Sequence, residues 1–154
     1  MTEITQKHVD DYAAGKVELA TLLGLSPEYV TDLRGRAQFF IEGGHDERAL
    51  IMLEMLEELD RSDTLPTLLA IEVLQKLGRS DAAEEKIERL LARDPHDLDA
   101  LVAKAELLIA TGELAPAAAT LEAVVERDPD GRTDAGKRAR AVAARASAQL
   151  TSAR

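Results

Sequence analysis

The chain has 154 residues, of which 45% are apolar, 31% charged and 3% aromatic, with no cysteine and a net charge of −10. That composition suits one helical domain with a real core, and it excludes disulfides, thiolate zinc sites and a cysteine nucleophile. The charge is lopsided: 28 acidic and 13 basic residues give −15 over Met1–Gly131, while Arg132–Arg154 carries +5. An acidic body repels phosphate backbones, so nucleic acid is not an expected partner. The basic C-terminal stretch is placed to fold back on that body or to meet an acidic partner.

Met1–Asp11 lacks the basic-then-apolar order of a secretory signal. No later run approaches the roughly 20 apolar residues of a membrane span. A cytoplasmic protein without a membrane partner is the expectation. From Thr5 to Leu23, Val9, Tyr12, Ala13, Val17, Ala20 and Leu23 recur at steps of three and four, which predicts one amphipathic helix interrupted at Gly15. Val9, Tyr12 and Val17 on that stripe offer a surface for pairing with a second copy, a homodimer.

Gly24 suits a helix end, and Ser26-Pro27-Glu28 begins the next helix with a hydroxyl cap, a first-turn proline and an early carboxylate. Helices are expected over residues 27–42 and 46–59, 67–77 and 80–93, then 97–111 and 114–127. A final Ala- and Arg-rich helix spans residues 133 to about 150. Within this region Gly44, Gly78 and Gly112 are spaced by 34 residues, and so are Ala49, Ala83 and Ala117. Leu53, Ile87 and Leu121 keep the same phase, as do Leu56, Leu90 and Val124, and Asp60, Asp94 and Asp128. Pro95 and Pro129 close two of the units, because proline disfavours helix at the residue before it. A period of this length marks stacked helix pairs. The final helix, with Ala139, Val142, Ala143 and Ala146 on one stripe among Arg138, Arg140 and Arg145, suits the polar-backed cap such a stack needs.

The 34-residue helix–turn–helix unit resembles the tetratricopeptide repeat over about residues 27–131. Counting units from Val30, Thr64 and Leu98, the usual small eighth residue is Ala37, Ile71 and Ala105, and the large eleventh is Phe40, Leu74 and Leu108. Ile71 departs from the pattern, and Arg61 stands where proline closes the later units. The resemblance implies an all-α solenoid: residues 1–154 as a single domain, with an N-terminal helix in 1–26, three repeats in 27–131 and a capping helix and tail in 132–154.

A narrower resemblance rests on Gly24-Leu25-Ser26-Pro27-Glu28, the Leu59-Asp60-Arg61-Ser62-Asp63 junction, three repeats and a C-terminal helix. Together they look like the class II chaperones of bacterial type III secretion, many of which pair through their N-terminal region. It implies a chaperone holding an extended apolar segment of a translocator client in a concave groove. A generic repeat adaptor or an oligomerisation scaffold, unconnected with secretion, remains the other reading. In the repeat family the first helix of each unit lines the groove. The residues so placed include Arg34, Gln38 and Ile41, then Leu65, Leu68 and Glu72, then Val102, Glu106 and Ile109. Repeat proteins that grip C-terminal carboxylates need basic and amide groups where this chain has Leu69, Asp99 and Ala103, which disfavours that ligand class.

No catalytic constellation assembles. His8, His45 and His96 lie in different elements without partners at metal spacing, and Gly43-Gly44 is not followed by the Lys-Ser or Lys-Thr of a phosphate loop. Glu57-Glu58 and Glu84-Glu85 are adjacent on helices and point about 100° apart, so neither pair is set to share a proton. The sequence implies a protein-binding module, with no enzyme activity, cofactor or metal.

Overall fold

A computed structural model of the chain describes residues 4–152, with side chains through residue 148. The first three residues of the N-terminal segment and the last two of the basic tail lie outside the described residues. Nine α-helices and no strand occur among those described. They are α1 (Gln6–Ala13), α2 (Leu19–Leu22), α3 (Pro27–Glu42), α4 (Asp46–Leu59), α5 (Leu65–Lys76), α6 (Ser80–Arg93), α7 (Leu98–Ala110), α8 (Leu114–Arg127) and α9 (Asp134–Ser152). The chain divides between Leu77 and Gly78 into two compact units.

Each helix pair turns through the same local geometry. Gly44, Gly78 and Gly112 have φ of 69°, 71° and 86°. His45, Arg79 and Glu113, which follow them, have φ near −90° and ψ of 58°, 63° and 66°. At Gly44 the N–H donates to the Ile41 carbonyl while the His45 N–H reaches back to Phe40, closing the end of α3. A side chain would strain the left-handed residue, and glycine avoids that strain. The starts of α3 and α7 are capped by side chains instead. Ser26 Oγ accepts from Tyr29 N–H at 3.2 Å, and Asp97 Oδ1 accepts from Ala100 N–H at 3.0 Å.

The N-terminal segment departs from the single helix expected there. α1 ends at Ala13, and α2 is one short turn beginning at Leu19. Gly15 takes φ 69°, and the N–H groups of Gly15 and Lys16 donate to Tyr12 and Asp11 carbonyls, the double closure of a helix terminus. Glycine inside a helix costs about 1 kcal/mol relative to alanine, whereas at a left-handed terminus it is the favoured residue. Termination therefore wins, and Val17 does not continue the stripe of Val9 and Tyr12.

In the first unit α3 and α5 both pack on α4, and α2 leans on α4 as well. Leu33 and Ala37 of α3, Ala49, Leu53 and Leu56 of α4, and Ala70, Ile71 and Leu74 of α5 are buried. Burying each large aliphatic side chain stabilises the fold by about 1.5–3 kcal/mol. In the second unit α7 packs on α6 and α8, and α9 lies against both α7 and α8. Its core gathers Val102, Ala105, Leu121, Val124, Ala135, Ala139 and Val142. The alanines at repeat positions (Ala49, Ala83, Ala105 and Ala117) are all buried, which lets their helices approach closely.

Candidate protein-binding surface

Equivalent positions of the three repeats meet different surroundings. Arg34, Leu68 and Val102 occupy one register position, and Gln38, Glu72 and Glu106 another. On each helix these residues fall on one stripe by their spacing of three and four.

In the first unit Arg34 Nη2 lies 2.6 Å from Asp63 Oδ2. Asp63 also accepts the Leu65 N–H on Oδ1 at 3.1 Å, so one carboxylate ties α3 to the start of α5. Asp60 organises the same junction by accepting from the Ser62 N–H and hydroxyl and from the Asp63 N–H. The Ser62 hydroxyl holds the Asp60 carboxyl below its ordinary pKa, against the opposing effect of partial burial. Gln38 Nε2 donates to Glu42 at 2.8 Å, which keeps both on the exposed side of α3. Ile41 and Leu68 are half-buried, Glu72 is half-buried, and Leu65 is 52% exposed. The stripe therefore offers aliphatic surface flanked by carboxylates.

The second unit corrects the expectation for the third repeat. Val102 is fully buried, Glu106 has only 18% of its side chain exposed, and Ile109 packs at the edge of the core. The cause is α9, which covers this part of α7. Arg138 donates to both oxygens of Glu106, and Arg145 Nη2 lies 3.7 Å from the same carboxylate. Val102, Glu106 and Ile109 therefore serve the packing of α9. Sequence periodicity placed them on a stripe and marked the final helix as a cap, but it did not show that this helix would cover Val102, Glu106 and Ile109.

Among the proposed pairing residues, Val9 is 43% exposed, and Tyr12 lies under the Arg61 guanidinium at 5.3 Å. Val17 helps line a small cavity of about 170 Å³ with Ile4, His8 and Leu22. Glu18 Oε2 accepts the Arg61 N–H at 2.9 Å, so the N-terminal segment docks on the Asp60–Ser62 junction through Glu18 and Tyr12. Sequence reasoning assigned no role to Phe39 and Ile51, which are strongly exposed. Their only sequence signal was falling off the buried stripes of α3 and α4.

The histidines have structural partners. His8 Nδ1 accepts the Thr5 N–H in a capping box, His45 stands edge-on to Phe40, and His96 Nδ1 lies 2.9 Å from Arg127 Nη2. Among the described residues no three His, Cys, Asp or Glu side chains are grouped to hold a metal ion. No described helix is long and apolar enough to cross a membrane.

Helix pairs repeated every 34 residues, turned by a left-handed glycine and closed by an aspartate, give the described residues an all-α repeat fold, and residues 74–146 match the tetratricopeptide repeat family. The fold is similar to that of the type III secretion translocator chaperone SycD from Yersinia enterocolitica, with TM-score 0.75, 23% identity and coverage of 86% of this chain and 98% of that one. It is similar to a T3SS complex chain from Aeromonas hydrophila, with TM-score 0.76, 17% identity and coverage of 96% and 97%. PcrH, a Pseudomonas aeruginosa protein, in complex with the chaperone-binding region of PopB matches with TM-score 0.64, 23% identity and coverage of 81% and 97%. At these identities the likeness is one of fold. No curated protein sequence matches the chain.

Proposed function

We propose that this chain is a cytoplasmic type III secretion chaperone that holds an extended apolar segment of a translocator client. The observation that carries the reading is the stripe of the first unit, where Leu65 is 52% exposed beside half-buried Leu68. Exposed aliphatic surface at the position where repeat proteins bind peptides is the kind of site that captures side chains from an extended segment. The fold shared with SycD, and with PcrH bound to the chaperone-binding region of PopB, supports the same reading. Burial of roughly four aliphatic client side chains at about 1.5–3 kcal/mol each, less the cost of ordering the segment, gives affinity near micromolar. Glu42 and Glu72 favour clients with basic flanks.

The test is co-expression with candidate translocator subunits encoded beside this chain, followed by co-purification and measurement of client solubility. Leu65→Asp together with Leu68→Asp should abolish capture while helicity stays unchanged. Capture that survives this pair would remove the stripe from the mechanism. Captured clients that are soluble by themselves would favour a general adaptor over a secretion chaperone.

A second reading, self-association through the N-terminal segment, is favoured by Ile4, Val9 and Leu23, each more than two-fifths exposed around an α1 with no buried residue. Val9→Glu would then halve the mass found by light scattering. An unchanged mass counts against it.

A further inference from the structure

The second unit holds an apolar cleft that the repeat pattern does not explain. α9 continues the 34-residue register, with Ala139 and Val142 following Ala105 and Leu108, and both are buried. Where Gly112 turns the third repeat, the equivalent residue is Ala146, and the helix runs on to Ser152.

The first half of α9 is clamped. Arg138 holds Glu106, Arg140 donates to the Asp128 and Pro129 carbonyls, and Ala135, Ala139 and Val142 enter the core. The second half faces α8 with Ala143, Ala146 and Ser147, whose side chains are too short to fill the space before Leu114, Leu121 and Val125. A cleft of about 310 Å³ results. That volume is at the lower end of sites that take up a ligand group. Leu114 and Ala118 open it to solvent.

Two features define what fits. Leu114, Ala118, Leu121 and Val125 form one stripe along three turns of α8, long enough to run beside the two turns over which a docked helix presents anchors at i, i+3, i+4 and i+7. Among the described residues, Glu122 is the one charged member of the lining, exposed and without an ion-pair partner. Desolvating that carboxylate under a neutral surface would cost free energy, whereas a cation would satisfy it. We propose that this cleft docks the apolar face of an amphipathic helix from a partner protein, with aliphatic side chains between α8 and α9 and a lysine or arginine against Glu122. It is a second site, independent of the stripe on α3 and α5.

The test uses the full chain and two fluorescein-labelled 18-residue helical peptides, both with leucines at i, i+3, i+4 and i+7. One has flanking lysines and the other flanking glutamates, and binding is followed by anisotropy. The lysine peptide should bind at least tenfold more tightly than the glutamate peptide. Ala118→Trp, which fills the cleft from an exposed position, should weaken binding at least tenfold with an unchanged circular dichroism spectrum. Glu122→Lys should reverse the order of the two peptides, and Leu65→Asp should leave both affinities unaltered. No binding at 1 mM, binding indifferent to Ala118→Trp, or a peptide order unmoved by Glu122→Lys would each overturn the proposal. A dimer that Ala118→Trp converts to monomer would overturn it too, by assigning the cleft to a second copy.

Discussion

Arg138 on α9 donates through Nε and Nη2 to the two carboxylate oxygens of Glu106 on α7, at 3.1 and 2.6 Å. The pair joins residues 32 positions apart and holds α9 against the helix that lines the third repeat. Two parallel charge-assisted bonds fix orientation as well as distance.

Removing the guanidinium leaves a largely buried carboxylate with only Arg145 nearby. Arg138→Ala should therefore destabilise the second unit by about 1–2 kcal/mol, a figure reduced from the fully buried case because Arg138 is itself partly exposed. Urea unfolding followed by circular dichroism would measure it. High salt should narrow the gap between variant and wild type. A midpoint unaltered by the substitution would show that α9 is held by its apolar stripe alone.

Asp128 anchors the start of α9. Its carboxylate accepts from the Arg132 N–H at 2.8 Å and from the Thr133 N–H and hydroxyl at 2.9 and 2.7 Å. These bonds, led by the Thr133 hydroxyl, lower its pKa from 3.8 to about 2. A pKa lower in the folded state than in the unfolded means that the unfolded chain binds the proton first as pH falls. The stabilisation is then complete well above pH 3.8 and is lost as pH falls toward about 2. Asp128→Asn should lower the thermal midpoint at pH 7, and its deficit should shrink between about pH 4 and pH 2. A deficit constant across that window would contradict this assignment.

Gly136 gives a sharper contrast between local and tertiary rules. Helix propensity alone predicts that Gly136→Ala stabilises α9 by up to about 1 kcal/mol. A Cβ at this position would collide with the Asp128 carboxylate. The substitution should instead cost roughly 1–3 kcal/mol, in the manner of an overpacked core. A raised melting temperature would show that the loop yields without loss.

Val102 and Leu65 test the division between core and surface. Val102→Ala removes methyl groups from a fully enclosed site and should cost about 2 kcal/mol. Leu65→Ala, at a half-exposed position, should fall within about 0.5 kcal/mol of wild type. Denaturant midpoints distinguish the two, and similar costs would mean that Leu65 is held more closely than its exposure indicates.

Most of the architecture was legible before any coordinates. Ser26-Pro27-Glu28, the turn glycines and the closing aspartates act through bonds that span five residues or fewer, and a local signal repeated every 34 residues is hard to misread. The same locality explains the error at Gly15. Its apolar stripe continues on paper through Val17, but a left-handed glycine satisfies the orphan carbonyls of α1 and ends the helix there.

By itself, the sequence determined the helix pairs, their turns and the stripe on which Leu68 and Val102 hold the same register. Only the tertiary structure decided their fates. Leu68 stays half-exposed in the first unit, while α9 closes over Val102 and takes Glu106 into an ion pair with Arg138. The physical reason is that periodicity specifies which way a side chain points on its helix. Burial depends on what packs there, and for Val102 that neighbour comes from α9, more than thirty residues further along the chain.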